Sequence, residues 1–257
     1  MKVSRKLLAV AFAVTLAFST VSTAVVSSFG HKAHDASVSI MRSDANGVRR
    51  LYCSGTSIES PDKQARILTA RHCVIDENTN AVIIDETVTF ADNEAGPFYA
   101  VTVEAISTDE DLALLRVTNP GKIPAVKLGD ENKIKPGDAL FLWSDPRGLG
   151  KLYTTGSFVA PKFPVPQIWA IKYGWQNAMP LQEQISYGSS GSGIFSDDQQ
   201  ALIAVTVGFI PPDFNIKIAM PVSRVKYLLA HLDANSVAQW SKTHPPKVRV
   251  YDPGDDD

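Results

Sequence analysis

The sequence predicts an all-β protein. Apolar residues either alternate with polar ones or form short runs, turn-forming residues separate these runs, and helical periodicity is scarce. The chain has 257 residues, enough for one two-barrel β domain or two small domains after removal of a targeting segment.

The expected strands are short apolar or alternating segments, at residues 87–90, 99–106, 139–143, 201–209 and 215–220. Groups of Gly, Pro, Asn and Asp separate the strands, with breaks at residues 46–47, 96–97, 119–121 and 136–138. After the last strand, apolar residues at helical spacing predict a helix over residues 221–232. Its buried face would carry Val225, Leu228, Leu229 and Leu232.

The amino terminus has the pattern of a targeting segment. Three basic residues precede an apolar run at 7–18, and small residues at 22–24 suit a signal peptidase. Two interpretations remain open. Residues 1–24 are either the cleaved signal peptide of a secreted or periplasmic protein, or an anchor that leaves the protein on the extracytoplasmic side of a membrane. Membrane contact is expected only for the anchor.

Composition excludes some partners. The net charge is −2 and no basic run is interleaved with aromatic residues, so we expect no nucleic acid partner. His31 and His34 could offer two zinc ligands, but no third ligand lies nearby in the sequence, so we expect no metal site.

Three short motifs contain the residue types of acyl-transfer chemistry. They are Thr-Ala-Arg-His-Cys with His72, Asp-Leu-Ala-Leu-Leu with Asp111, and Gly-Ser-Ser-Gly-Ser-Gly with Ser190. A serine hydroxyl is a poor nucleophile unless a neighbouring histidine takes its proton, and a carboxylate must hold the other nitrogen of that histidine. Ser190 is the serine with a glycine two residues before it and another directly after it.

The order His, Asp, Ser resembles that of trypsin/chymotrypsin-like serine endopeptidases. The spacing is similar to that of the bacterial branch with glutamyl endopeptidases and Do-like proteases, over about residues 50–230. The resemblance implies two six-stranded antiparallel β-barrels and a C-terminal helix, with the active site between the barrels. It also implies a protein or peptide substrate, no cofactor, and the roles of nucleophile for Ser190, general base for His72 and orienting carboxylate for Asp111.

The resemblance also implies a division of the chain. We expect an N-terminal segment at 25–45, a first barrel at 46–120, a second barrel with the helix at 121–233, and a polar, acidic tail at 234–257. Because the tail is short, we expect a Do-like protease domain without a PDZ module.

Further site residues follow from the resemblance alone. Gly188, Ser189 and Ser190 would form the oxyanion hole, and the substrate pocket would contain Gln184, Thr206, Val207 and Gly208. Since Gln184 is neutral and the strand at 205–208 has no histidine, we expect small or uncharged side chains at the cleavage position.

The chain has two cysteines, Cys53 and Cys73. An exported protein meets an oxidising compartment, where two thiols generally pair. In the family that the chain resembles, the equivalent cysteines form a bridge that ties the loop of the general base to the adjacent strand. The alternative is a pair of thiols that only fills core space.

The sequence therefore predicts an exported serine endopeptidase. A catalytically silent protease-fold binding module is the alternative function. Such modules usually lack one residue of the triad, whereas His72, Asp111 and Ser190 are all present here.

Overall fold

Two closed barrels of six antiparallel strands make up most of the protein. The structure is a computed structural model that describes residues 26–247, except 45, 61, 84–85, 91, 93–95, 162–165 and 211–215. The expected signal peptide or anchor at 1–24 lies outside the described residues, as does the end of the expected tail from residue 248. The predicted fold class is confirmed.

The first barrel closes in the order β1-β2-β3-β6-β5-β4. Its strands are β1 Ser37–Ser43, β2 Arg49–Ile58, β3 Arg66–Thr69, β4 Glu86–Thr89, β5 Phe98–Ile106 and β6 Ala113–Val117. All four residues of β3 are buried, because this strand pairs with both β2 and β6. The end of β3 pairs with the start of β6. The segment after β3 and the segment before β6 therefore lie at the same end of the barrel, each held by a paired strand.

The second barrel closes in the order β10-β11-β12-β9-β8-β7. Its strands are β7 Ala139–Ser144, β8 Leu152–Phe158, β9 Met179–Gln182, β10 Gly193–Ser196, β11 Ala201–Phe209 and β12 Lys217–Pro221. The first seven residues of β11 are all buried. A continuous apolar run such as this one is typical of a strand covered on both faces.

The first barrel begins earlier than the sequence predicted. Strand β1 lies within the expected N-terminal segment, and the break at 46–47 is the turn of the hairpin that joins β1 to β2. Before β1, helix α1 (Ser28–Ala36) buries Phe29, Ala33 and Ala36. The ring of Phe29 packs edge-on against Phe141 and Phe195, which belong to the second barrel.

Two helices cover the strands near the C-terminus. Helix α3 (Val222–Ala230) buries Val225 and Leu228 as expected, while Leu229 and Leu232 pack partly buried against the core. Helix α4 (Val237–Thr243) lies in the region predicted as a polar tail, but it buries Trp240. The indole Nε1 of Trp240 donates to the carbonyl of Asn80, 3.3 Å away. The prediction of a tail from residue 234 was therefore wrong for this part, since α4 packs on the first barrel.

The remaining helix, α2 (Gln167–Tyr173), was not predicted and lies between β8 and β9. Within the described part of the chain, no helix has the length and hydrophobicity needed to cross a membrane.

Candidate active site

His72 sits in a short 3₁₀ turn, Arg71–Cys73, directly after β3. Its side chain is 26% exposed, so one part of the ring reaches the surface and the rest is covered by the protein. Cys73 forms a disulfide with Cys53 of β2, with Cα atoms 6.0 Å apart. The disulfide ties the turn of His72 to a neighbouring strand of the same barrel.

Asp111 lies just before β6 and is almost fully buried. One carboxylate oxygen accepts the backbone N–H of His72 at 3.1 Å, and the other lies 2.9 Å from Nδ1 of the ring. The indole Nε1 of Trp175 donates to the same second oxygen at 3.4 Å. Since Nδ1 faces a carboxylate it carries the ring proton, which leaves Nε2 as the proton acceptor.

The two side chains shift each other's pKa. Burial alone raises the pKa of Asp111, but the charge and hydrogen bonds of His72 outweigh burial, and the pKa lies below its usual value. Burial alone lowers the pKa of His72, but Asp111 outweighs it, and the pKa lies above its usual value. Both shifts favour the imidazolium–carboxylate pair that a general base forms when it takes a proton.

Ser190 lies in the turn before β10. Its carbonyl oxygen accepts the backbone N–H of Ser54, and the N–H of Gly191 donates to the carbonyl of Thr206, both at 2.8 Å. Gly191 has φ +85°, and a Cβ there would collide with Thr69 and with the carbonyl of Ser54. Only glycine fits this position.

Ser54 joins the serine turn to the first barrel. Its hydroxyl donates to the carbonyl of Gly188 at 2.8 Å and accepts the N–H of Asp145 at 3.1 Å. Its own carbonyl accepts the hydroxyl of Thr69 at 2.9 Å. One residue of β2 thus connects the segments that carry His72 and Ser190.

The turn before Ser190 controls the direction of one amide. The N–H of Ser189 donates to the carbonyl of Ser186, and Gly188 has φ +93°, the combination typical of a type II turn. The carbonyl of Tyr187 accepts the N–H of Arg147 at 2.9 Å. Because N–H and C=O point in opposite directions in a trans peptide, this bond turns the N–H of Gly188 away from Arg147.

The predicted oxyanion hole therefore needs a correction at Ser189, whose N–H is engaged within the turn. The amides of Gly188 and Ser190 have no hydrogen-bond partner among the described residues. These two N–H groups, rather than all three, are available to an oxyanion.

His72 and Ser190 line one cavity of about 400 Å³, named here the aromatic cavity. Its other lining residues are Trp169, Tyr173, Trp175, Ile185, Ser186, Tyr187, Val207, Gly208 and Phe209. Within the described residues, the Ser190 hydroxyl makes no hydrogen bond to the ring of His72, and the two meet as walls of the cavity. Catalytic hydrogen bonds are often long without substrate.

Two of the four predicted pocket residues line the aromatic cavity, namely Val207 and Gly208. A Cβ on Gly208 would collide with the indole of Trp175, so glycine keeps this wall open. Gln184 is exposed and lines a different cavity with residues of β8. Thr206 is buried and lines neither of these two cavities.

The sequence analysis missed the aromatic wall. Trp169 and Tyr173 are four residues apart on α2, the spacing that places two side chains on one face of a helix. Tyr173 also packs against Trp175, with ring centroids 4.8 Å apart. The spacing of four residues between Trp169 and Tyr173 is present in the sequence. However, α2 has only seven residues, too few for a clear helical pattern.

Cys53, His72 and Cys73 bring three possible metal-ligand atoms close together. The two sulfur atoms are bonded to each other, however, and a disulfide offers no thiolate. This group therefore lacks the ligands of a metal site.

Comparison with known proteins identifies the family of this chain. Residues 53–205 match the family described as trypsin-like peptidase domain. The periplasmic serine endoprotease DegP of Escherichia coli is 26% identical over 125 residues, which cover 48% of this chain and 25% of DegP. A probable DegP-like periplasmic serine endoprotease of Bartonella henselae is 25% identical over 178 residues, covering 67% of this chain and 32% of the relative.

A solved structure of the HtrA-type protease AlgW with a tripeptide superposes with a TM-score of 0.62 at 18% identity, covering 79% of this chain and 63% of AlgW. This likeness concerns the fold. The chain spans about a quarter to a third of the length of the curated relatives named above. The matched family range contains His72, Asp111 and Ser190 and most of both barrels, and the chain belongs to the trypsin-like peptidase domain family.

Proposed function

We propose that this protein is a serine endopeptidase that hydrolyses peptide bonds through an acyl-enzyme on Ser190. The observation that carries the proposal is the hydrogen bond that Nδ1 of His72 donates to Asp111, at the edge of a cavity that Ser190 also lines. Membership of the trypsin-like family supports it, as do the serine endoproteases among the relatives.

Acylation begins when Ser190 Oγ attacks the carbonyl carbon of the scissile bond. Nε2 of His72 takes the hydroxyl proton, and Asp111 stabilises the imidazolium that results. The carbonyl oxygen becomes an oxyanion that accepts hydrogen bonds from the N–H groups of Gly188 and Ser190. When the C–N bond breaks, the imidazolium gives its proton to the leaving amine.

Deacylation repeats these steps with water as the nucleophile. His72 takes a proton from the water, whose oxygen attacks the ester carbonyl carbon, and the bond to Ser190 Oγ breaks. Ser190 recovers its proton from His72, and the acid product leaves. His72 is thus a base and then an acid in each half of the cycle.

Labelling with a fluorophosphonate tests the proposal, because the probe reacts with an activated serine. We expect the wild-type protein to be labelled and Ser190→Ala to remain unlabelled, with kcat reduced by about 10⁶-fold on a peptide substrate. Ser43→Ala, at the exposed end of β1, is the control and should be labelled. A wild-type protein that is folded but unlabelled would favour the catalytically silent binding module.

The cleavage position is expected to take an uncharged side chain. The aromatic cavity presents mainly aromatic and aliphatic groups, and such walls bind apolar side chains by removing them from water. Cleavage of a peptide library by the purified protein tests this, and a dominant preference for arginine or lysine would contradict it.

We also propose that the protein acts outside the cytoplasm. The amino-terminal pattern supports export, and the DegP relatives are periplasmic proteins. Sequencing the amino terminus of the protein from cell fractions distinguishes a cleaved signal peptide from a membrane anchor. A start near residue 25 indicates cleavage, whereas an intact terminus in the membrane fraction indicates an anchor.

A further inference from the structure

A buried glutamate follows strand β9 at one end of the second barrel. From Leu181 to Gln184, buried and exposed residues alternate, so Glu183 faces the barrel interior with Leu181. Glu183 is only 7% exposed, and its Oε1 has no hydrogen-bond partner among the described residues. The neutral Gln184, predicted as the floor of the substrate pocket, faces outwards instead.

Lys217, the first residue of β12, faces the same interior. It pairs directly with Leu181 across the sheet and is 5% exposed. Residues paired across two strands project from the same face, and the diagonal neighbour two residues along is still within reach of a long side chain. Glu183 is one of the two diagonal neighbours, and its carboxyl group lies within electrostatic reach of the Lys217 ammonium.

This pair adjoins the aromatic cavity. On its other side Lys217 pairs with Phe209, and Nζ lies 5.6 Å from the centroid of the Phe209 ring. Phe209 lines the aromatic cavity, as does Ile185, two residues after Glu183. Ile185 also packs against the interior cluster that contains Leu181. The two charged groups therefore lie behind the wall that faces Ser190.

The two groups influence each other's charge. Burial raises the pKa of Glu183 to about 8, although Lys217 opposes this rise. Burial lowers the pKa of Lys217, and Glu183 opposes that shift. Glu183 lines the same cavity as Gln184, and the β8 residues of that cavity, Thr155, Gly156 and Ser157, are not titratable; Gly156 is the one that lies against Glu183. Among the described residues, Lys217 is the charged group that acts on Glu183.

We propose that Glu183 and Lys217, which lie behind the wall of the aromatic cavity, set the preference of the substrate pocket for the charge of the side chain before the scissile bond. Lys217 attracts an acidic side chain there, and Glu183 opposes this attraction. Two charges interact more strongly across a wall that excludes water than through water, because the effective dielectric constant is lower. The inference rests on the proposed peptidase function, because it assigns the specificity of that same cavity.

The test compares two peptides that differ only in Glu or Gln at the cleavage position. These side chains have nearly the same shape, so the ratio of kcat/KM for Glu over Gln isolates the effect of charge. The titration of His72 affects both peptides equally and cancels. The ratio is measured at pH 6.5 and pH 8.5 for the wild type, Glu183→Gln, Lys217→Met and the double variant.

At pH 8.5 we expect Glu183→Gln to raise the ratio about threefold, because roughly three quarters of wild-type Glu183 is ionised at this pH, given its pKa of about 8. At pH 6.5 the increase should be small, since Glu183 is then already protonated. Lys217→Met should lower the ratio, and the double variant should lose the gain. Glu59→Gln removes the same charge from an exposed ion pair with Lys32, and should leave the ratio unchanged.

An unchanged ratio in Glu183→Gln at pH 8.5 and in Lys217→Met, with the fluorophosphonate label intact, overturns this inference and leaves the peptidase proposal standing. Absence of label and of hydrolysis in the folded wild type instead overturns the proposed function. In that case, calorimetric affinities of the same variants for peptides ending in Glu or Gln test whether the pair acts on the charge of a bound side chain. Affinities that do not depend on these substitutions would contradict it.

Discussion

His72 is positioned by Asp111 through two separate contacts, one to its backbone N–H and one to its ring. The three residues of the proposed triad could be named from the sequence, because each stands in a short motif with a recognisable neighbour. The walls of the aromatic cavity could not. Tyr187 and Phe209 come from separate segments, and only the closed barrel brings their rings within 6.2 Å.

At the scale of residues, Asp111→Asn should reduce kcat by about 10⁴-fold. An amide can donate to Nδ1 and so stabilise the wrong tautomer of His72. Steady-state kinetics on a peptide substrate measures the loss. Asp109→Asn, two residues earlier and exposed, should retain wild-type kcat; a similar loss in both variants would contradict the role of Asp111.

The pH profile provides a second prediction for the same pair. Because His72 must be neutral to take the serine proton, kcat/KM should fall as the pH drops through the pKa of His72. This pKa is raised above 6.5, since Asp111 outweighs the effect of burial. The acid limb of the profile should therefore have its midpoint above pH 6.5, and a midpoint near pH 4 would exclude His72 as the base.

Among the elements, the strands with continuous apolar runs were predicted well, because burial on both faces leaves a clear pattern. Helix α2 was not predicted, since seven residues give too little periodicity to distinguish it from a loop. Helix α4 was hidden for a similar reason. Trp240 is its main buried residue, and tertiary contacts with the first barrel stabilise it more than local propensity does.

The turn that carries Ser190 should tolerate no side chain at Gly191. We expect Gly191→Ala to reduce kcat about 10²-fold or more, because the Cβ displaces Ser190 relative to His72. Gly137→Ala is the matched control, with a similar φ of +92° but open space around the Cβ. It should cost about 1 kcal/mol of stability and retain activity. Equal activity in both variants would contradict the steric argument.

The disulfide of the His72 turn should contribute measurably to stability. Its cysteines are 20 residues apart, and closing such a loop stabilises a protein by about 3 kcal/mol in the chain-entropy model. Denaturant unfolding of the Cys53→Ala/Cys73→Ala double variant measures this contribution, with the reduced wild-type protein as a comparison. A double variant as stable as the oxidised wild type would show that the bridge has no such effect.

For the whole molecule, the two-barrel architecture could be predicted from the resemblance of the three motifs. The placement of the segments at the two ends of the chain could not. The sequence analysis assigned residues 25–45 to an N-terminal segment and residues 234–257 to a polar, acidic tail. The structure places β1 inside the first barrel and α4 against it. Contacts between residues that are distant in sequence, such as Phe29 and Phe195, determine the position of these segments.

The C-terminal region is therefore expected to be part of the cooperative unit. Trp240→Ala should destabilise the protein by about 3–5 kcal/mol, since it removes a buried aromatic side chain. Lys242→Ala on the same helix is exposed and should change stability by less than about 0.5 kcal/mol. Thermal or denaturant unfolding distinguishes the two. Equal stability of both variants would mean that α4 folds independently of the first barrel.

The bonds of Ser54 have a consequence for recombination between related proteases. Ser54 belongs to the first barrel and is hydrogen-bonded to Gly188 and Ser190 of the second half of the chain. A chimera made by exchanging the chain halves between the two barrels could retain two well-folded parts and still misalign Ser190 with His72. Gene-shuffling libraries should therefore transfer position 54 together with the segment 186–193, as one inherited block.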